Sequence, residues 1–201
     1  MPICEGCGAR VDEAHILRRK QRIDLAMRYR PIEIKTLLLN SNPPVLEADY
    51  FYRVAPDRAV RSVAARVYFE EILKCSGAAT SQTDEARCLT DFRDRGFFLI
   101  HAVDCPIENP GELHNAMRRL APTVVKRVQY SLQPTYIVPI SKPTQDLIRL
   151  FGLIGWGDRL VLENGGPFSD ASPGPPQRQA APSASPASFG DRIHKALAAL
   201  P

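Results

Sequence analysis

The chain has 201 residues, 44% of them hydrophobic, and a formal net charge of +4. That is enough apolar material for one well-buried core, and no run is long enough to span a bilayer as a helix. Five cysteines, an odd number, and no apolar leader at the N-terminus argue against a disulfide framework; the expectation is a cytoplasmic monomer. Basic residues gather in two places, Arg18, Arg19, Lys20 and Arg22, then Arg118, Arg119, Lys126 and Arg127. Such patches suit a polyanion, and a solvated helix face explains them equally well.

Residues 1–30 read as an N-terminal unit. Cys4-Glu5-Gly6-Cys7 is half of a metal-knuckle spacing, and a helix follows from about Asp12 to Tyr29, with Asp12 as N-cap and Ile16, Ile23 and Met27 near one face. The core domain spans 31–166. Ile34 to Leu39 is a short, largely apolar run with the pattern of a strand buried on both faces of a parallel sheet. Asn40-Ser41-Asn42-Pro43-Pro44 ends it as a stiff loop, because two prolines cannot continue a strand ladder. Tyr50, Phe51 and Tyr52 place three aromatics near the same rim.

A second helix is expected from Arg58 to Lys74, with Val60, Val63, Ala64 and Val67 inward, and a third from Asp84 to Arg95, stopped by Gly96. Gly96 to Val103 is a second strand, leaving through Asp104, Cys105 and Pro106. Helical pattern returns from Gly111 to Gln133, with Pro122 kinking it or starting a new helix. Thr135 to Ile140 is a third strand, although Pro139 argues against a central one. Ser141 is placed to cap a helix from Pro143 to Phe151, and Arg159 to Leu162 is a short fourth strand. Residues 167–188 are rich in proline, serine and alanine and read as a flexible segment. In 189–201, Phe189, Ile193, Leu197 and Leu200 share the face of a terminal helix that Ser188 caps and that should dock back.

Alternating strands and helices imply an α/β fold, a three-layer α/β/α arrangement around a central parallel sheet of about four strands. Parallel strands leave their exit loops on one rim, where ligands bind in open α/β sheets.

The order of elements resembles the uracil-DNA glycosylase superfamily. Asn42-Pro43 matches the Asn-Pro form of its first-strand loop, Leu99 to Cys105 its second strand and exit, and Gln133 to Ile140 the approach to its third strand. The resemblance covers most of residues 4–165. It implies DNA as partner, and removal of a damaged or deaminated base by water attack at the N-glycosidic bond. Asn42 would orient the water, with Ser41 and Pro43 beside it. Phe51 or Tyr52 would stack on the extruded base, His101 would read its edge, and Phe168 and Ser169 would work at the duplex. Two departures favour an alternative, an inactive nucleic-acid-binding or partner-binding protein of the same fold. The stretch that matches the family's His-Pro-Ser is Gly165-Gly166-Pro167-Phe168-Ser169 here, without the His, and the glycines of the first loop are Asn40 and Pro44. Cys4, Cys7 and Cys105 stand where the iron–sulfur branch has three ligands. An iron–sulfur cluster or zinc is thus a candidate cofactor beside none at all. The fourth ligand stays open among Cys75, Cys88, His15 and His114.

Overall fold

The computed structural model describes residues 1–53, 61–78, 84–168 and 187–200. Among these, three strands form one open parallel sheet, β1 (Thr36–Asn40), β2 (Phe97–His101) and β3 (Tyr136–Pro139), in the order β2-β1-β3. Six α-helices accompany it: α1 (Glu13–Met27), α2 (Val63–Cys75), α3 (Glu85–Asp94), α4 (Pro110–Lys126), α5 (Gln145–Leu153) and α6 (Phe189–Ala198). The class is α/β, as expected. No helix among the described residues is long and apolar enough to cross a membrane.

β1 is the central strand because it has little to offer water. Leu37, Leu38 and Leu39 are fully buried, so successive side chains on opposite faces are both covered. Its register sets Leu38 beside Leu99 and Val138, and Asn40 beside His101. Gly96 turns the chain into β2 at φ +82°, a left-handed conformation, with Lys35 Cγ only 2.7 Å from where a Cβ would sit.

The fourth strand does not form. Leu160 makes a single parallel bridge to Ile137, and Val161 N–H donates to the Ile137 carbonyl (2.9 Å). The chain then turns back, pairing Glu163 with Gly166 through left-handed Asn164 and Gly165. Pro139 supplies the reason. Its carbonyl lies on the outer edge of β3, accepting from Phe168 N–H (2.9 Å), and there it lacks the donor that a further ladder needs.

The other edge is closed by a side chain. The Tyr52 hydroxyl donates to the Leu99 carbonyl (3.0 Å) and accepts from Leu99 N–H (2.7 Å), satisfying β2 where no strand follows. Tyr52 belongs to an aromatic core with Phe51, Phe69 and Phe92, whose ring centroids lie 4.9–5.5 Å from that of Phe51. Arg61, 5% exposed, ties the preceding turn together by donating to the carbonyls of Tyr50 (2.8 Å), Phe51 (3.0 Å) and Arg53 (2.7 Å) while paired with Glu85.

Three local expectations are corrected. The inward face of α2 is Phe69, Ile72, Leu73 and Cys75, whereas Val63 and Val67 face solvent; Val60 lies outside the described residues. The aromatic and long aliphatic groups bury more area than the valines and so decide which way the helix faces. α4 passes through Pro122 unbroken and widens only at Arg127–Leu132, a π-helical turn ended by left-handed Gln133. Ser141 makes no side-chain cap; its carbonyl accepts from Thr144 N–H instead (3.0 Å). The terminal helix forms as expected. Ser188 caps α6, Ile193 is fully buried, and Gly190 lets α6 sit directly on α2, its N–H donating to Glu71 Oε2 (2.8 Å).

Candidate functional site

The first ten residues fold into a knuckle. Cys4 N–H donates to the Ala9 carbonyl (2.8 Å), Gly8 N–H donates back to Cys4 (2.6 Å), and Gly8 takes φ +71° to close the turn. This places the Cys4 and Cys7 thiols on the same side. Asp104 N–H donates to the Gly6 carbonyl (3.1 Å), docking the knuckle on the exit loop of β2, where the next residue is Cys105. α1 supplies the fourth group. Asp12 caps it by accepting from His15 N–H (2.8 Å), and the His15 ring reaches the thiols from the first turn.

Cys4 Sγ and Cys105 Sγ are 3.6 Å apart, His15 Nε2 is 3.1 Å from Cys105 Sγ and 3.7 Å from Cys7 Sγ, and all four donor atoms lie within 4.8 Å of one another. Cys4, Cys7 and Cys105 are buried and His15 half-buried. Burial pushes all three thiols up, but for Cys4 the N–H of Gly6, the Cys105 thiol and the N–H of Cys7 outweigh it, and the net shift is downward. Burial, with Arg22 and Arg18 nearby, holds His15 below the ordinary imidazole value and hence neutral, the form that ligates. The group could hold a metal ion, and its donor set suits one. Of the four residues left open for the fourth position, His15 is the one whose ring lies beside the three thiols. Cys75 is elsewhere, its thiol against the Glu71 carbonyl at the end of α2.

Beside this cluster lies a cavity of about 310 Å³ at the carboxyl end of β2. Its apolar wall is Ile23, Ala26 and Met27 of α1 with Phe98, Ile100 and Leu132. Its polar groups are Arg19, Arg22, Arg127, Asp104 and His101. Asp104 is clamped between two arginines, with Arg19 Nη2 3.0 Å from Oδ2 and Arg127 Nη1 3.0 Å from Oδ1. Arg127, at the start of the π-helical turn, also donates to the His101 carbonyl (2.7 Å). Such widened turns recur at functional sites. Three guanidiniums against one carboxylate leave the cavity strongly positive. His101 is 8% exposed, and burial pushes its pKa down to about 3; Asp104 works against that shift, and Arg127 and Arg22 add to it. The ring is neutral and can donate or accept.

The expected site residues are distributed unevenly. His101 and Pro43 line the cavity. Asn42 is half-buried, its amide donating to the carbonyls of Ile107 (3.1 Å) and Pro43 (3.3 Å) and accepting from Ser41 Oγ (3.1 Å). It ties two exit loops together instead of reaching into open space. Phe51 and Tyr52 are inside the aromatic core, and Phe168, 2% exposed, is packed where its N–H meets β3. Ser169 lies outside the described residues. Tyr50 and Arg22 were not singled out individually for a site, yet both line the cavity. A signal was present: His15, Arg19, Arg22, Ile23 and Ala26 recur at helical spacing, so ligand, arginines and apolar wall share one face of α1. Arg18 and Lys20 of the same cluster are exposed, as are Arg118, Arg119 and Lys126. No family model, no curated protein and no solved structure matches this chain.

Proposed function

We propose that this is a zinc-stapled nucleic-acid-binding protein on a uracil-DNA glycosylase-like scaffold of the three-layer kind, using the carboxyl rim of its sheet to hold a nucleotide rather than to cleave one. The observation that carries this reading is the positive cavity at the end of β2, where Arg19, Arg22 and Arg127 meet neutral His101 over an apolar wall. Polyanions gain from such a charge excess, and bases gain from apolar surface. Exposed Arg18, Lys20, Arg118, Arg119 and Lys126 add basic surface for a backbone.

Zinc fits the four donors better than a cluster. Tetrahedral zinc with bonds of about 2.0–2.3 Å separates neighbouring donors by ~3.5–3.8 Å; three separations here are 3.1–3.7 Å, and all four donors lie within 4.8 Å of one another. A cubane would need each ligand on a different iron and a wider cage. Four protein donors leave no open position, so the ion would act as a staple joining the knuckle, α1 and the exit of β2. It would thereby hold Arg19 and Arg22 against the cavity.

Binding without hydrolysis follows from where Asn42 is spent. With its amide bound to Ile107 and Pro43, it is not free to orient a water, and Phe51 is not free to stack. The test is fluorescence anisotropy on labelled single-stranded and duplex DNA over a salt series, beside a base-release assay on uracil-containing oligonucleotides. Expected are binding whose log K falls with log salt by about 0.7–0.9 per phosphate neutralised, and no released base. Absence of DNA binding at low salt would refute the reading. Base release that disappears in Asn42→Ala would replace it with the glycosylase reading, which the position of His101 on the cavity wall favours.

A further inference from the structure

Arg22 poses a problem that nucleic-acid binding in general does not solve. It is 7% exposed, its Nε is sealed from solvent without a hydrogen-bond partner, and its guanidinium makes no ion pair among the described residues. Leaving a buried guanidinium N–H without a partner is costly. Among the described residues no carboxylate pairs with it, Asp24 and Glu47 included, although both line a neighbouring pocket with Arg22. The adjacent carboxylate, Asp104, already serves Arg19 and Arg127, and Arg127 Nε is itself sealed and unpartnered. Tyr50 spends its hydroxyl on the Arg22 carbonyl (3.1 Å) instead of on the side chain. A cavity of about 310 Å³ opens on this group, at the lower end of the range for small-ligand sites.

We propose that Arg22 is the anion receptor of a subsite whose ligand is a nucleotide bearing a terminal phosphate monoester. The chemistry selects the class. Three guanidiniums and one carboxylate leave an excess of two positive charges, matching a monoester, which carries about −1.5 to −2 at neutral pH, better than a diester linkage at −1. Guanidinium forks take phosphate oxygens in pairs. The remaining wall, Ile23, Ala26, Met27, Phe98 and Leu132, is apolar and suits the flat body of a base or a sugar edge. His101, neutral and within the same cavity, supplies a single polar contact to that body. The inference rests on the nucleic-acid reading for the identity of the body, and not for the anion. Two sources present this chemistry: the phosphorylated end of a strand, and a free nucleoside monophosphate.

The experiment compares 5′-phosphorylated, 3′-phosphorylated and unphosphorylated single-stranded oligonucleotides of one sequence by anisotropy, with the zinc-loaded full chain. Deoxynucleoside monophosphates, the corresponding nucleosides and inorganic phosphate serve as competitors. One phosphorylated end should bind roughly tenfold or more tighter than the unphosphorylated strand. Monophosphates should compete where nucleosides do not, and Arg22→Met should bring all oligonucleotides to one affinity. Arg22→Lys guards against a folding defect in Arg22→Met: it keeps the charge, and should lose most of the preference through loss of the fork. Binding of monophosphates without any oligonucleotide binding would support the anion subsite, assign it a free nucleotide, and overturn the nucleic-acid reading instead. Equal binding of phosphorylated and unphosphorylated strands by the wild type, with nucleosides competing as well as monophosphates, would overturn the subsite and leave the reading intact.

Discussion

Buried His101 should make this protein lose stability between pH 7 and pH 5 by an amount that can be calculated. The ring ordinarily titrates at 6.5, and in the fold burial pushes that value to about 3, with Arg127 and Arg22 adding to the shift and Asp104 opposing it. The unfolded chain therefore binds a proton in this window and the folded chain does not, so stability rises with pH. The contribution is fully present above about pH 6.5 and is lost as pH falls toward 3. At 1.36 kcal/mol per pH unit, the loss from pH 7 to pH 5 is about 2 kcal/mol. The measurement is urea unfolding at several pH values followed by the fluorescence of Trp156, the single tryptophan. His101→Gln removes the titrating ring while keeping a polar side chain of similar size. Other groups, those of the Cys4, Cys7, His15 and Cys105 cluster among them, are present in both proteins and cancel in the difference. The wild type should lose about 2 kcal/mol more than the variant. Superimposable stability profiles would refute the claim that the cavity holds this imidazole neutral.

Four further outcomes are expected. Elemental analysis should find one zinc per chain and no iron, and Cys105→Ser or chelation should abolish amide-exchange protection in the knuckle and first turn of α1 while sparing β1, because zinc binding energy acts as folding energy for the segment that it organises. Tyr52→Phe should cost about 1–3 kcal/mol in urea unfolding, since it leaves the Leu99 N–H and carbonyl unpaired in a dry core. Arg61→Lys should cost a similar ~1–3 kcal/mol, because an ammonium cannot serve Glu85 and the carbonyls of Tyr50, Phe51 and Arg53 together. Gly190→Ala should destabilise by about 1–3 kcal/mol and loosen α6 in proteolysis, as a Cβ there would lie 2.8 Å from Lys74 Cβ and closer still to the Glu71 carbonyl.

Much of this could be read along the chain, because the relevant physics is local. Asp12, Asp84 and Ser188 cap their helices through side chains that reach only three residues ahead, and Gly96 turns where a left-handed residue is needed. The leucines of β1 announce a strand covered on both faces, and Cys4-Glu5-Gly6-Cys7 announces a knuckle. Apolar periodicity failed where the inward face is polar. α1 turns His15, Arg19 and Arg22 toward the protein beside Ile23, while Met27 at the end of the stripe is 45% exposed, so a search for an apolar stripe finds the wall of the cavity and misses its charged groups. Phe51 resembles a rim aromatic by position, yet Phe69 and Phe92, from helices far along the chain, draw it into the core.

The chain by itself determined its local pieces: caps, turns, buried strands and a two-cysteine knuckle, each set by interactions among near neighbours in sequence. Only the tertiary structure decided that His15, 90 residues before Cys105, lies beside the three thiols, and that Arg22 lines a cavity with its Nε unpartnered. Those facts depend on which distant segments pack together, and that is settled by the burial of the whole core rather than by the chemistry of any one stretch.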